Sequence, residues 1–335
     1  MDKVDTERLT KMMRAVMLVP GPDGMANAEV RQVPKPLAAA GEALVRVHAA
    51  GLNRGELLQR RRMAPGAPQP NGGEFAGEVV ALGEGATGTT VGQRVMGHWR
   101  GAQAEYISVD TRLLVPIPDR VDWVAAGGWL NVYATAHDAL VSAGRLRAGE
   151  AVLVAGAGSG VGVAALQIAR LLGATPILGT SRDAAKLAAV GRFGLTQGFV
   201  PGPGLAAELK AATGGRGVDV LVDLVGAPVF GAGLQAMAVR GRYVSVGRTG
   251  GTKAELDLEL VASQRLEIIG TTFRTRSKLE RIAVVQAAVR DLLPALADGR
   301  LDPAIAATFP MEDIERAHAA MAEDRHVGKL VLTIA

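Results

Sequence analysis

The sequence predicts an α/β protein built from a mostly β unit and a doubly wound, mainly parallel sheet. Three observations predict it. Residues 14–124 read as short apolar runs broken by Gly, Pro and Asn, residues 136–301 alternate apolar strands with helices, and residues 302–335 return to the first pattern. Strands alternating with helices imply a parallel sheet covered on both faces. The chain is expected to leave the first unit, build the second and return. This puts a β-rich domain over 12–135 and 302–335, and a domain of alternating strands and helices over 136–301. A length of 335 residues suits two domains of roughly 150 residues each.

Residues 1–11 read as a frayed leader. AVMLV, ALVRVHAAG, GEFAGEVVALG, QRVMG and AEYISVD follow as β-type runs, with a helix predicted at RGELLQRRR between two of them. VAAGGWLNVYATAHDALVSAG is a helical stretch ending at Gly144. AVLVA is an apolar strand, followed by a Gly loop and the helix VAALQIARLLG. Then come the run TPILGTS, the helix DAAKLAAVGRFG, the strand VDVLVDLVG, the helix VFGAGLQAMAVRG and the strand RYVSVG. LEIIGTTF adds another strand, KLERIAVVQAAVRDLLPALADG a long helix, and the tail a capped helix and a final strand.

Apolar residues make up 48% and charged residues 21%, enough apolar material for sizeable cores. No apolar run approaches 18 residues, so no membrane span is expected. The N-terminus has mixed charge and no apolar core of a secretory signal, and a cytoplasmic protein is the default. The net charge is +4 and aromatics are 4%, which argues against a nucleic-acid partner. The dense cluster Arg60, Arg61 and Arg62 reads first as a solvated basic turn, ahead of a nucleic-acid patch and, third, of a rim attracting an anionic cofactor or substrate. There is no cysteine, which removes disulfides, thiolate nucleophiles and Cys-based zinc sites together.

Gly156, Ala157, Gly158, Ser159, Gly160, Val161 and Gly162 lie between a strand and a helix. Missing Cβ atoms let a backbone approach a diphosphate, and the helix N-terminus points its N–H groups at the anion. The loop G-A-G-S-G-V-G is one residue longer than G-x-G-x-x-G, and an ordinary tight βα turn is the bland alternative. An NAD site wants an acidic residue at the end of the second strand. Here that end reads Gly179, Thr180, Ser181, Arg182, with Lys186 one turn beyond and Asp183 placed to act as a helix-start charge. Hydroxyls and a guanidinium suit a 2′-phosphate, so NADPH is the expected cofactor. The alternative is that Arg182 and Lys186 simply open an exposed helix.

GEALVRVHAAGLNRGELLQRR, AVLVAGAGSGVGVAALQIARLLGA, GVDVLVDLVG, GRYVSVG, GTTFRTRS and HVGKLVL, in this order, resemble the zinc-independent quinone oxidoreductases of the medium-chain dehydrogenase/reductase family. The text is most similar to the p53-inducible branch. The resemblance covers nearly the whole chain beyond the leader. It departs after the QR segment, where RRRMAPGAPQP replaces the aromatic or Pro-rich text of many members. It implies a GroES-like domain, a Rossmann domain and an active site in the cleft between them. It also implies roles, residue by residue. Asn53 lines the nicotinamide and substrate site, and Thr135 lies near the nicotinamide. Phe273 and Arg274 border it, and Lys329 is a basic residue near the cofactor. Val225 and Gly247, in VDVLVDLVG and GRYVSVG, complete the expected cofactor set. By its position Asn53 also suits a helix cap.

Zinc alcohol dehydrogenases share this fold and hold their metal with Cys and His. This chain has only scattered His48, His98, His137, His318 and His326. No metal is therefore expected. Glu74 falls where zinc members carry a Glu near the metal, and it reads here as a loop hydrogen-bond acceptor. His98 reads as a surface or hydrogen-bonded loop residue. Without a Lewis acid the simplest chemistry is hydride transfer to an already electrophilic acceptor, with Asn53 and Thr135 as orienting residues and Tyr133 more a packing ring than a donor. The expected function is NADPH:quinone oxidoreduction. An enone or enoyl reductase is the alternative, and an NADPH-binding protein with little turnover a weaker one. The resemblance implies a homodimer whose Rossmann sheets join edge to edge, and RLEIIGTTF, apolar and β-branched, is the candidate edge strand.

Overall fold

The computed structural model describes residues 11–21, 24–63 and 66–334, so the expected leader lies, except for Lys11, outside the described residues. The chain forms two compact units, 1–131 with 281–335, and 132–280. The helix Lys278–Ala297 groups from Arg281 onward with the first unit. Among the described residues no helix is long and apolar enough to cross a membrane.

The first unit carries a sheet in which Lys329–Thr333 lies between Ile305–Pro310, parallel, and Glu42–Gly51, antiparallel. The order continues through Phe75–Leu82, Arg94–Gly97 and Leu114–Pro116, and Tyr106–Asp110 also pairs with Glu42–Gly51. A smaller sheet pairs Met12–Pro20 with Ala26–Pro34 and Gln69–Pro70. The tail strand Lys329–Thr333 thus completes this sheet. Small residues bring backbones together here. A Cβ on Gly127, in the helix Trp123–Gly127, would sit 2.8 Å from Ala49 Cβ on the strand beneath. A Cβ on Gly51 would collide with the Glu74 carboxylate and lie 2.7 Å from Gly127 O.

The second unit is a six-stranded parallel sheet in the order Gln197–Phe199, Ile177–Thr180, Val152–Ala155, Val218–Asp223, Met237–Ser245, Glu267–Gly270. Its central strands are buried along their length, which is why they read as continuous apolar runs. Strand order reverses between Val152–Ala155 and Val218–Asp223. That reversal opens a crevice at the carboxyl ends of the strands, where open α/β sheets bind ligands.

Three local expectations differ. The helix expected through VFGAGLQAMAVRG spans Ala227–Gln235, and Met237–Ser245 is already strand. Met237 and Ala238 are buried in pairing with the neighbouring strand, with a register shift near Val218 and a left-handed Arg240. The stretch 124–144 divides into Trp123–Gly127, Leu130–His137 and a π-helical Asp138–Ala143. The strand Gln197–Phe199 and the helix Leu205–Ala212 carried no legible pattern, being three and eight residues long on either side of VPGPG.

Candidate functional site

In the second unit, Gly156 takes a left-handed φ of 85°, and the N–H groups of Gly156 and Ala157 both donate to Thr180 O at 3.1 and 3.0 Å. The loop is thereby tied to the end of the second strand. Ser159 caps the helix Gly160–Leu171: its Oγ accepts from Gly162 N at 3.1 Å and donates to Gly156 O at 2.8 Å. The first-turn N–H groups of Gly160 and Val161 have no intrahelical acceptor and face outward along the helix dipole, the arrangement that binds a diphosphate. A Cβ on Gly162 would collide with Gly156 O and lie 2.8 Å from Ala157 O, so this position excludes any side chain.

At the strand end Thr180 is buried, Ser181 is half-buried and Arg182 is exposed. Ser181 Oγ accepts from Asp183 N, and Asp183 caps the helix Ala184–Val190 through Ala185 N at 2.8 Å. The acidic residue therefore serves the helix, as expected. Lys186 is not an exposed helix residue: its stem packs on Gly158, with Cδ 3.2 Å from where a Cβ would stand.

Val225 closes over Gly156, its Cγ2 3.3 Å from the missing Cβ. Asp223 shapes this turn. Its Oδ1 accepts from Val225 N and Gly226 N at 2.8 and 2.9 Å, its backbone oxygen accepts from Gly247 N, and the Tyr243 hydroxyl donates to its carboxylate. Burial pushes the Asp223 carboxyl above its usual range, against the pull of Tyr243 and the two amides, while burial and the neighbouring carboxylate push the Tyr243 phenol up. The segment carrying Phe273 and Arg274 is pinned by Asp138, which takes the Thr271 hydroxyl and Arg276 Nη2, the latter at 2.7 Å. Phe273 is half-buried and Arg274 exposed. Gly156–Gly162, Thr180–Arg182, Val225, Gly247 and Phe273 all follow carboxyl ends of parallel strands, and so share one edge of this sheet. Thr135 lies half-buried on the helix Leu130–His137, and Tyr133 is a core residue whose hydroxyl accepts from Gln167.

The first unit brings together Asn53, Glu74, Asn131 and Lys329. Glu74 and Lys329 are almost fully buried and pair at 2.6 Å. Lys329 Nζ also donates to Leu52 O and Asn53 Oδ1, both at 2.6 Å. Asn53 Nδ2 donates to Glu74 Oε1 at 3.0 Å, Asn131 N to Glu74 Oε2 at 2.8 Å, and Asn131 Nδ2 to Asn53 Oδ1 at 2.6 Å. Asn53 stands at the N-cap position of Arg54–Arg62, with its backbone N–H taken by Glu56 Oε1 at 3.0 Å, while its own side-chain oxygen is engaged by the ammonium and Asn131. The ammonium of Lys329, expected beside the cofactor, has its three donors engaged within this cluster. Glu74 is the acceptor it was expected to be, but the charge it meets was not legible.

Behind the cluster runs a second buried chain. Glu56 Oε2 accepts from Gln103 Nε2 at 3.0 Å and meets His318 Nε2 at 3.2 Å. Arg60 Nη1 approaches His318 Nδ1 at 3.0 Å, and since a guanidinium only donates, Nδ1 accepts and Nε2 carries the hydrogen. Arg60 also holds Ala26 O and Glu315. This corrects the reading of Arg60–Arg62 as a solvated turn: Arg60 points inward and Arg61 and Arg62 are exposed. Glu56 and Arg60 are one helical turn apart, so they share the buried face.

His98 is buried and hydrogen-bonds the Asn131 side chain, not a surface residue. Burial lowers its imidazole pKa to about 4, with the nearby Glu74 carboxylate opposing the shift. The folded value lies below the unfolded value of about 6.5, so below that pH the unfolded chain takes up a proton that the native chain refuses. This contribution is neutral above about pH 6.5 and costs stability as pH falls, reaching on the order of 3 kcal/mol below about pH 4. Between about pH 7.5 and 5 the native protein should lose about 2 kcal/mol more in urea unfolding than His98→Gln does, and equal losses would refute the assignment.

Two family profiles match: "Alcohol dehydrogenase GroES-like domain" over residues 39–119 and "Zinc-binding dehydrogenase" over residues 196–332. Over 87% of the chain, 32% of residues are identical to a phenolphthiocerol/phthiocerol polyketide synthase of Mycobacterium tuberculosis, and the match spans only 13% of that protein. Identity to acryloyl-coenzyme A reductase of Metallosphaera sedula is 30% over 91% of this chain and 96% of that one. Among solved structures, a mycobacterial quinone oxidoreductase superposes with TM-score 0.83 at 27% identity, covering 96% of this chain and 99% of that one. Mycobacterial Rv1454c complexed with NADPH superposes with TM-score 0.86 at 26% identity, covering 96% and 100%.

Proposed function

Because the chain belongs to the medium-chain dehydrogenase/reductase family, we propose that it is an NADPH-dependent oxidoreductase that reduces quinones without a metal. NADPH, when bound, supplies the hydride. The observation that carries the reading is the strand end Thr180–Arg182, which offers hydroxyls and a guanidinium where a ribose-binding carboxylate would stand, beside a Gly loop closed to side chains at Gly162. Gly160 and Val161 would hold the diphosphate through backbone N–H groups, and Arg182 would meet the 2′-phosphate. In the first unit, Asn53 offers an amide hydrogen to the substrate oxygen as charge develops there. One Nδ2 hydrogen is held by Glu74, and the other faces Gly51 O at a long 3.4 Å.

The donor set does not fit the zinc that one family description names. The chain has no cysteine, and among the described residues no three His, Asp or Glu converge as metal ligands. Glu74, the carboxylate of the cluster, already faces an ammonium at 2.6 Å.

A second reading, reduction of an enoyl thioester, draws support from the end-to-end match to an acryloyl-coenzyme A reductase. Both reactions deliver hydride to a carbon made electrophilic by a conjugated carbonyl. NADPH oxidation should be followed with 1,2-naphthoquinone, 1,4-benzoquinone, a simple enone and crotonyl-coenzyme A. Fastest turnover with a quinone supports the proposal, fastest turnover with the thioester moves the assignment to the second reading, and no turnover with any acceptor removes both.

Two expectations accompany the proposal. Arg182→Ala should weaken NADPH binding about tenfold, the value of roughly 1.4 kcal/mol for one charge-assisted contact, and leave NADH nearly unchanged. Equal effects on the two cofactors in paired titrations would count against the 2′-phosphate contact. The protein should also be a homodimer. Glu267–Gly270 ends the strand order with one neighbour and leaves Ile268 42% exposed, an edge that a two-fold partner would satisfy. Light scattering should give a dimer, and Ile268→Lys a monomer.

A further inference from the structure

We propose that Lys329 is the positioning residue of the Asn53 amide, holding it in one orientation and polarising the hydrogen it offers to substrate. The proposal rests on the reading of Asn53 as the substrate's donor, and assigns Lys329 a role other than the cofactor contact its sequence motif implies.

An ammonium has three donors and no acceptor. Around Lys329 Nζ stand three oxygens at 2.6 Å: Glu74 Oε1, Asn53 Oδ1 and Leu52 O. Nζ has no hydrogen left for a phosphate. The three oxygens come from two strand ends and a helix start, and a buried ion pair persists only with such geometry and such additional bonds. Gly51 leaves the room for Glu74 to enter.

The amide of Asn53 is fixed from both sides. Its oxygen faces the ammonium and Asn131 Nδ2, and its nitrogen faces the Glu74 carboxylate. A half-turn of the amide would set N–H against both donors and C=O against the carboxylate. Neither Lys nor a carboxylate can reverse its role to accommodate that, so one orientation survives. A cation on the carbonyl side also draws electron density from the amide and strengthens the N–H on the other side, since linked hydrogen bonds polarise one another. Lys329 therefore acts on the substrate through Asn53.

Lys329→Met keeps the length of the side chain and removes the charge. The expected result is a fall in kcat of at least about tenfold, within the range seen for loss of a placed donor, with NADPH Kd unchanged within about twofold. In Lys329→Ala, propylammonium should restore part of the lost kcat, and tetramethylammonium, which has no N–H, should not. A kcat within about twofold of the native value overturns the proposal, and so does a weaker NADPH Kd at unchanged kcat, which would make Lys329 a cofactor ligand. Should either single variant fail to fold with Glu74 left unpaired, Lys329→Met/Glu74→Gln removes both charges and carries the same expectations for kcat and Kd. A second readout needs no turnover. In ¹⁵N-labelled protein the side-chain NH₂ pair of Asn53, assigned by its loss in Asn53→Ser, should shift and exchange faster in Lys329→Met. An unchanged pair overturns the proposal even if the quinone reading fails, while a shifted pair in a protein inactive toward every acceptor would separate the two.

Discussion

Gly162→Ala is expected to weaken NADPH binding by at least about tenfold and to lower stability by about 1–3 kcal/mol, the cost of forcing a methyl group into a packed site. Helix propensity points the other way. Alanine in a helix interior is favoured over glycine by about 1 kcal/mol, and Gly162 lies within the helix Gly160–Leu171. Sterics win because the obstacle is backbone: the added Cβ would meet Gly156 O and Ala157 O, in a loop already tied to Ser159 Oγ and Thr180 O. The loop can relieve the clash only by moving as a body, which carries the outward N–H groups off the diphosphate. Gly231 is the control, a glycine in the helix Ala227–Gln235 with open space around its missing Cβ. Gly231→Ala should gain up to about 1 kcal/mol and leave cofactor affinity alone. Fluorescence titration and thermal melts of the two variants decide the matter, and native-like NADPH affinity in Gly162→Ala would remove the loop from the site.

Asn53→Asp is expected to cut kcat on the order of 100-fold while NADPH still binds, because one well-placed donor is worth about that much in the transition state. Aspartate caps a helix about as well as asparagine, so a purely capping Asn53 would tolerate the change. The structure sharpens the contrast. The Asn53 oxygen is turned toward Lys329 and Asn131, and the helix start is served by Glu56 from the other direction. In the variant a second carboxylate would stand where Nδ2 now lies, 3.0 Å from Glu74. Two carboxylates at that distance share a proton, which raises one of the pKa values. The variant should therefore recover part of its turnover as pH falls, because the shared proton can be donated. Near-normal turnover at neutral pH would return Asn53 to a structural role.

The parts of the molecule that were legible in its sequence are those whose signal is contiguous. The glycines of the loop, the strand before it and the helix after it fall within about two dozen consecutive positions, and each has its own physical reason for being there. Asn53 and Lys329 were both singled out through the resemblance, but 276 positions separate them, and nothing in a linear text states that one donates to the other. Glu74 was read correctly as an acceptor, yet its donor's charge is a property of folding. Arg60 was hidden inside a run of three identical residues, although its spacing from Glu56 was a usable sign that the two share a face. Asn131 carried no sign at all, since its bonds to Glu74 and Asn53 span 57 and 78 positions, and the depth at which His98 is buried is likewise a property of the fold.

The placement of Lys329–Thr333 inside the first sheet, between Glu42–Gly51 and Ile305–Pro310, sets the order in which the protein can be made. Glu74 leaves the ribosome about 250 residues before its counter-ion. At roughly 5–20 residues per second that is a delay of tens of seconds. Throughout it the first unit lacks an inner strand, and its most buried carboxylate has no cation to meet. The second unit, continuous in the chain, can close first. A nascent chain halted before residue 329 should accordingly show a protease-resistant 132–280 segment and a digestible N-terminal one, so that the strand Lys329–Thr333 acts as the latch on the first unit.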